Sequence, residues 1–456
     1  MSNLCVVGGG LSGLEFALYA AVSGKRVHIY EAGPSLRQEH VHFDTRILTG
    51  DEKLRPWTAN NHWGQGGISE RLGGRSLCYH GVMLPLEEAA LASWPKSWQQ
   101  ILAGKNGLYP ELTQGFSSQF PEMTPSNPVA DFLTHVPQAA RFMEDGRFTS
   151  YSPLHSLESF IRDGVITIER AKIAKVAKSN GQFYLTDTSG KTANQTGYSK
   201  CVLAASAMVN NAIISSSLGQ SFTSELTDHY CLGIAVKVRE GTEIGTYRHE
   251  MLWHGYSKHH DLNANIFVVE RPRTPDGDRL LLLMAVVEQN PEDSPLSQLR
   301  CQVSGGKAEL AIDAHHSERD IDNYNKVANR LVEFAREKLN ADLRALSPTE
   351  DEKQGKYFKS FADSSIQDEF DIALNSLDTT SQTNVFTRFT FPYGAYEHES
   401  ACHPLAGKGV NALTEELELA TMPGLYAIGP GAFPRLGIAN PALTICAMSR
   451  WLASHI

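Results

Sequence analysis

Three glycines open the chemistry of this chain. Gly8, Gly10 and Gly13 follow the apolar run Leu4-Cys5-Val6-Val7, and a second apolar run, Val27-His28-Ile29-Tyr30, ends on Glu31. The order is strand, glycine turn, helix, strand, acid. In such a unit the first glycine allows a tight turn and the second lets backbone approach a pyrophosphate. The third lets the helix pack close to the strand, and the acid holds a ribose hydroxyl. Leu11 and Ser12 fall on the first helical turn, whose free N–H groups and positive dipole end suit phosphate. Glu31 in place of an arginine disfavours a 2′-phosphorylated ligand. The pattern specifies a dinucleotide and does not by itself separate FAD from NAD.

Two further segments carry chemistry. Gly73-Gly74-Arg75-Ser76, with Cys78 and His80 after it, sits in a glycine-rich stretch from Trp63 to Gly81, where bare backbone can lie against a flat ligand. Near the other end come His403-Pro404-Leu405-Ala406-Gly407, then Leu425-Tyr426-Ala427-Ile428 and Phe433-Pro434, then Asn440-Pro441-Ala442-Leu443-Thr444-Ile445-Cys446-Ala447. A neutral imidazole suits removal of a hydroxyl proton near neutral pH. An asparagine offers both donor and acceptor to an oxygen. Asn440 reads as the N-cap of a final helix with Pro441 at its first position, which would aim a helix dipole into the site.

Taken with the N-terminal unit, these segments resemble the glucose–methanol–choline oxidoreductases, leaning toward the cholesterol-oxidase and pyranose-oxidase-like branches. The resemblance covers about a third of the chain, at its two ends. It implies FAD, a two-domain α/β fold and oxidation of an alcohol by hydride transfer to flavin N5. It also implies His403 as base and Asn440 as ligand of the substrate oxygen. Gly8, Gly10, Leu11, Ser12, Gly13, Glu31, Gly73, Gly74, Arg75, Ser76, Cys78, Gly429 and Pro441 would hold the cofactor, with Arg75 leaning toward the pyrophosphate. Two positions depart from the family pattern. Gly429 stands where an acid usually meets the ribityl chain, so that contact must come from backbone or elsewhere. Ala204-Ala205-Ser206 replaces the usual glycine ending. Cys78 occupies the place of a histidine that in some relatives bonds the flavin covalently; non-covalent FAD is the simpler expectation, with Cys78 or His80 as alternatives.

The elements that must position these residues follow from pattern. The chain has 456 residues, 41% hydrophobic and 20% charged, as in a globular protein, and its net charge of −10 argues against nucleic acid or an anionic membrane as partner. No apolar run reaches membrane-spanning length. Seven scattered cysteines show neither metal spacing nor a disulfide framework, and the first strand leaves no room for a signal peptide, so a cytoplasmic protein without metal is expected. The expected fold is α/β: a Rossmann-like FAD-binding domain over 1–221 and 391–456, and a second, α+β substrate domain over 222–390 built on an antiparallel sheet. Leu86–Leu102 reads as a helix bounded or kinked at Pro95, and 112–130 as a loop and candidate lid. A four-strand meander is expected over 165–204, with turns at Asn180-Gly181 and Ser189-Gly190. Helices are expected at Ala207–Ser217, Ile321–Leu339 and Ala442–Ser454, and a turn at 274–277. His229, Tyr230, Trp253, His254 and Tyr256 are the candidate pocket residues of the middle region. His398, Glu397 and Glu399 read as a solvated loop or, alternatively, a polar wall. A small hydroxylated molecule is the expected substrate, with O2 or another acceptor reoxidising the flavin. An amine oxidase, a hydroxylase, a redox-neutral isomerase or a non-catalytic FAD-binding protein remain as alternatives.

Overall fold

The computed structural model describes residues 3–35, 54–64, 66–124, 129–142, 148–238, 244, 253–271, 279–289, 297–341, 343, 350–354, 356–363 and 386–456. The turn expected at 274–277 lies outside them. A five-stranded parallel sheet carries the N-terminal unit. Its spatial order is Leu425–Ala427, Lys200–Leu203, β1 (Asn3–Val7), β2 (Arg26–Glu31), Ile166–Arg170. Leu4, Cys5, Val6 and Val7 are all buried, as an unbroken apolar run requires when both faces of a parallel sheet are covered. The strand order reverses on either side of β1, so the crevice at its carboxyl end is where this architecture takes a ligand. The sheet unites both ends of the chain: β1 pairs with 200–203, and that strand pairs with 425–427.

The glycine turn is dictated by close packing. Gly8 has φ +107°, and a Cβ there would lie 2.4 Å from the carbonyl oxygen of Ala204. A Cβ on Gly13 would lie 2.0 Å from the carbonyl oxygen of Gly8, so α1 (Leu11–Val22) seats against β1 only with glycine there. The last helix, Ala442–His455, packs on α1, and Arg450 reaches the fully buried carboxylate of Glu15 at 2.6 Å.

The middle of the chain forms a six-stranded sheet in the order Phe386–Phe391, His229–Val238, Arg279–Glu288, Ala264–Arg271, Trp253–His259, Thr134–His135. All its pairings are antiparallel. The strand Arg279–Glu288 is buried on both sides. Alternation sends Leu280, Leu282, Met284 and Val286 to the core beside the parallel sheet. Leu281, Leu283, Ala285 and Val287 go to a second core. That second core is closed by the helix Glu318–Glu337, whose Tyr324, Val327, Leu331 and Phe334 lie on one stripe. Ser317 and Asp320 form a capping box at its start. The Thr134–His135 strand comes from upstream of residue 222 yet joins this sheet.

Three expectations are corrected and one is refined. Only Ile173–Ser179 and Gln182–Asp187 form a hairpin; the segments at 166–170 and 200–203 belong to the parallel sheet, where each fills a slot beside β2 or β1. Residues 108–119 form a helix rather than a loop, because Tyr109, Leu112 and Phe116 make a buried stripe; 125–128 are outside the described residues. Pro95 is the expected boundary within 86–102, with Glu88–Leu91 before it and Lys96–Ala103 after it. The final helix starts at Ala442, but its N-cap is Pro441 rather than Asn440, which lies just outside.

Candidate active site

A cavity of about 560 Å³ opens at the carboxyl end of β1 and runs along the glycine turn to the six-stranded sheet. At one end its wall holds Gly8, Gly10, Leu11, Ser12 and Glu31. No atom lies within 4 Å of where a Cβ on Gly10 would sit, so this glycine opens a hollow at the start of α1. Glu31 is fixed at its edge, accepting hydrogen bonds from the N–H groups of Gly9 (2.7 Å) and Gly33 (2.8 Å). Burial raises its carboxyl pKa, which those N–H groups oppose. The hollow, the free helix start and the acid fit pyrophosphate and ribose.

The middle of the wall is the turn Gly74–Leu77. Gly74, Arg75, Ser76 and Cys78 line it, while Gly73 sits behind, donating to the carbonyl of Gly9 at 2.8 Å. Ser76 Oγ donates to the carbonyl of Gly73 at 2.6 Å and lies 2.7 Å from Ser152 Oγ. Cys78 Sγ is 3.5 Å from the carbonyl of Arg75. Gly13 and Gly429 are also behind the wall. Gly429, with φ +110°, faces Ser12 Oγ, and its neighbour Pro430 takes the place on the surface of the cavity.

Arg75 lines the cavity with its guanidinium committed to protein partners. Its guanidinium grips Glu399 with two hydrogen bonds, at 2.5 and 2.8 Å, and donates to the carbonyls of Gly67 (2.7 Å) and Glu397 (2.8 Å). The Glu397 carboxylate adds a 3.4 Å ion pair. Burial works against its charge, but Glu399 and Glu397 outweigh that and raise its pKa. The segment 395–399 is thereby clamped to the turn, and it is a wall of the cavity, not a solvated loop.

His398 lies in that wall beside Asn440 and Tyr396. Asp228, 1% exposed, accepts from the backbone N–H groups of His229 (2.7 Å), His398 (2.9 Å) and Gly394 (2.7 Å), which fixes the wall to the strand starting at His229. His398 Nδ1 is 2.8 Å from His229 Nδ1. Burial, then repulsion from His229 and Arg75, holds the His398 pKa well below its usual value, so the ring is neutral. Asn440 hydrogen-bonds the Tyr396 hydroxyl, and its Oδ1 is buried with no partner among the described residues. An acceptor left bare at the cavity wall is costly unless a ligand supplies a donor.

His403 is elsewhere. It is 0% exposed, its ring packs on Gly431, its Nδ1 accepts from Asn211 Nδ2 at 3.0 Å, and it does not line the cavity. Burial pushes its pKa down to about 3. Asn411 Nδ2 donates to Asn211 Oδ1 at 2.8 Å and to the Cys402 carbonyl at 2.6 Å, while His403 Nε2 is buried with no partner among the described residues. Of the middle-region candidates only Trp253 lines the cavity, with His80 near it at 5.7 Å between ring centres. His229 lies behind His398; Tyr230 stacks on Tyr324 in the second core and Tyr256 on Phe267. The side chain of His254 is outside the described set. Met284, Phe391, Tyr396 and Val82 complete the wall at this end. The place of Met284 there could have been anticipated from strand alternation alone.

The model of the DAO family, FAD-dependent oxidoreductases, matches residues 3–298. The chain belongs to that family. It uses FAD, and the hollow at Gly10, the acid at Glu31 and the Gly74 backbone on the cavity wall fit it. The chain is similar along 100% of its length to 99% of a crystal structure of pyridoxine 4-oxidase from Mesorbium loti, with a TM-score of 0.61 and 15% identity, a likeness of fold. No curated protein matches the sequence. Among the described residues no helix is long and apolar enough to cross a membrane.

Proposed function

We propose that this FAD-dependent oxidoreductase oxidises the CH–OH group of a small, largely apolar alcohol to a carbonyl, in the manner of the glucose–methanol–choline enzymes, and that His398 rather than His403 takes the hydroxyl proton. The observation that carries the reading is that a neutral imidazole, His398, shares one stretch of wall with the hydrogen-bonded pair Asn440 and Tyr396. The His403 to Asn440-Pro441 sequence and the likeness to pyridoxine 4-oxidase favour an alcohol among the substrates this family could take.

When bound, FAD supplies the hydride acceptor. The chain's own residues do the rest. The Tyr396 hydroxyl, which accepts from Asn440, donates to the substrate oxygen and leaves that oxygen's one hydrogen facing His398. His398 accepts its proton as the carbon loses hydride, which a neutral base can do without first being deprotonated. Met284, Phe391, Trp253 and Val82 exclude water and favour an apolar substituent. The cofactor is held non-covalently, with Cys78 as a packing residue on the wall.

Anaerobic bleaching of the flavin absorbance by an alcohol panel beginning with pyridoxine and benzyl alcohol, without nicotinamide, tests the reaction class. Bleaching by an alcohol is expected; bleaching by amines alone would overturn it. For the base, His398→Ala is expected to slow bleaching about 10²- to 10⁴-fold. His403→Ala should change the rate little in protein that remains folded. The reverse ranking would return the role to His403.

A further inference from the structure

His229, at the start of an antiparallel strand, and His398, in the 395–399 wall, are joined in one direction. His229 Nε2 lies 2.7 Å from the carbonyl oxygen of Gly437, which can only accept, so Nε2 must carry the hydrogen. A neutral ring with hydrogen on Nε2 has a lone pair on Nδ1. His398 Nδ1, 2.8 Å away, must then be the donor. That leaves Nε2 of His398 without hydrogen, on a ring that forms part of the cavity wall.

We propose that His229, which does not touch the cavity, is a positioning residue that fixes His398 in the one tautomer whose Nε2 can accept a proton from a ligand. The Gly437 carbonyl sets the direction of the chain. This rests on the reading of His398 as the base and adds to it a residue and a bond order.

The supports of the chain are themselves buried. His229 is 0% exposed, and burial pushes its pKa down to about 4, so it stays neutral and keeps its Nδ1 lone pair at physiological pH. The groups facing the pair are Asp228, Tyr396, Arg75, Glu397 and Glu399. Asp228 is taken up by three backbone N–H groups and Arg75 by the two glutamates. Gly437 cannot drift, because its own N–H donates to Glu288 Oε1 at 2.6 Å and the next N–H, of Ile438, donates to Glu87 Oε1 at 2.8 Å. When one ring nitrogen of a histidine is committed in this way, the hydrogen bond at the other fixes tautomer and ring orientation together. The same bond steadies the imidazolium once Nε2 has taken a proton.

The test is direct. Full-length, FAD-loaded protein labelled with ¹⁵N-histidine is examined by long-range ¹H–¹⁵N correlation at neutral pH, the His398 signals being assigned by their loss in His398→Gln. A protonated Nδ1 and an unprotonated Nε2 on His398 are expected. Hydrogen on Nε2 would overturn the inference. His229→Asn, whose Oδ1 replaces the acceptor, should keep the single tautomer, whereas His229→Phe should lose it; an unchanged tautomer in the phenylalanine variant also overturns it. If that variant does not fold, the wild-type spectrum and the asparagine variant still decide. Should the tautomer be as expected while His398→Gln bleaches at the wild-type rate, the positioning relation stands and the base assignment falls.

Discussion

At the level of single residues, the cofactor end of the cavity separates two glycines that a motif treats alike. Gly13 is required by packing: a methyl there would sit 2.0 Å from a backbone oxygen, so α1 would have to move off β1. Gly10 is not required by packing: a methyl there meets no protein atom, which leaves the ligand as the reason for a glycine. The two alanine variants should therefore fail differently. Gly13→Ala should lower the thermal midpoint of the apoprotein, with a loss of about 2 kcal/mol or more from overpacking. Gly10→Ala should leave the apoprotein's melting curve unchanged and weaken FAD binding about tenfold or more, read from quenching of flavin fluorescence. An unaltered FAD affinity in Gly10→Ala would mean that the hollow is not where the phosphates lie.

At the level of elements, one arginine joins a turn from the N-terminal third to a wall from the C-terminal quarter. Arg75 commits its guanidinium to Glu399, Glu397 and the Gly67 carbonyl, and the Glu399 carboxylate is only 2% exposed. Removing it leaves an uncompensated buried carboxylate, which costs about 3–5 kcal/mol, toward the lower end here because Arg75 keeps some contact with solvent. Arg75→Met should lose about 3 kcal/mol in urea unfolding and loosen the wall that carries His398. Arg75→Lys should recover part of it, since an ammonium meets the charge but not the fork. A methionine variant within 1 kcal/mol of wild type would show that the clamp is dispensable. The clamp also marks the limit of what the sequence disclosed. The β1–α1–β2 unit, the turn at Gly74 and the last helix were legible because their glycines and apolar runs are local requirements. The partner of Arg75 was not, for it lies more than 300 residues away and either a phosphate or a carboxylate satisfies an arginine. His398 was left between a solvated loop and a polar wall for a related reason. Its neighbours in sequence are acidic and look solvated, whereas what makes it a wall residue is Asp228 gathering three backbone N–H groups. The helix at 108–119 was obscured by its serines, glycine and glutamines, although Tyr109, Leu112 and Phe116 already carried the stripe.

At the level of the whole molecule, the neutral histidines in the interior couple the fold to acidity. His403 is the cleanest case. Its folded pKa is about 3, against an ordinary value near 6.5, and burial is the cause. A histidine depressed in this way contributes stability that is fully present above pH 6.5 and is lost as the pH falls toward the folded value. The slope for one such group is about 1.4 kcal/mol per pH unit, or close to 3 kcal/mol between pH 6.5 and 4.5. Buried carboxyls act with the opposite sign: Glu15, Glu31, Glu87 and Asp228 have raised pKa values, chiefly from burial, and favour the folded state as they take up protons. The net curve therefore mixes both, and a single acid midpoint would not isolate either. The difference between wild type and His403→Gln does isolate the histidine, because the glutamine has no proton to gain. Urea-unfolding free energies of the two proteins, measured from pH 7.5 to 4.5, should run parallel above pH 6.5. Below it they should converge by about 1.4 kcal/mol per unit as wild type loses the histidine's contribution and the variant does not. Curves that stay parallel through that range would mean that His403 titrates near its ordinary value, which requires access to water. That would move the residue out of the core network with Asn211 and Asn411 and back toward the cavity.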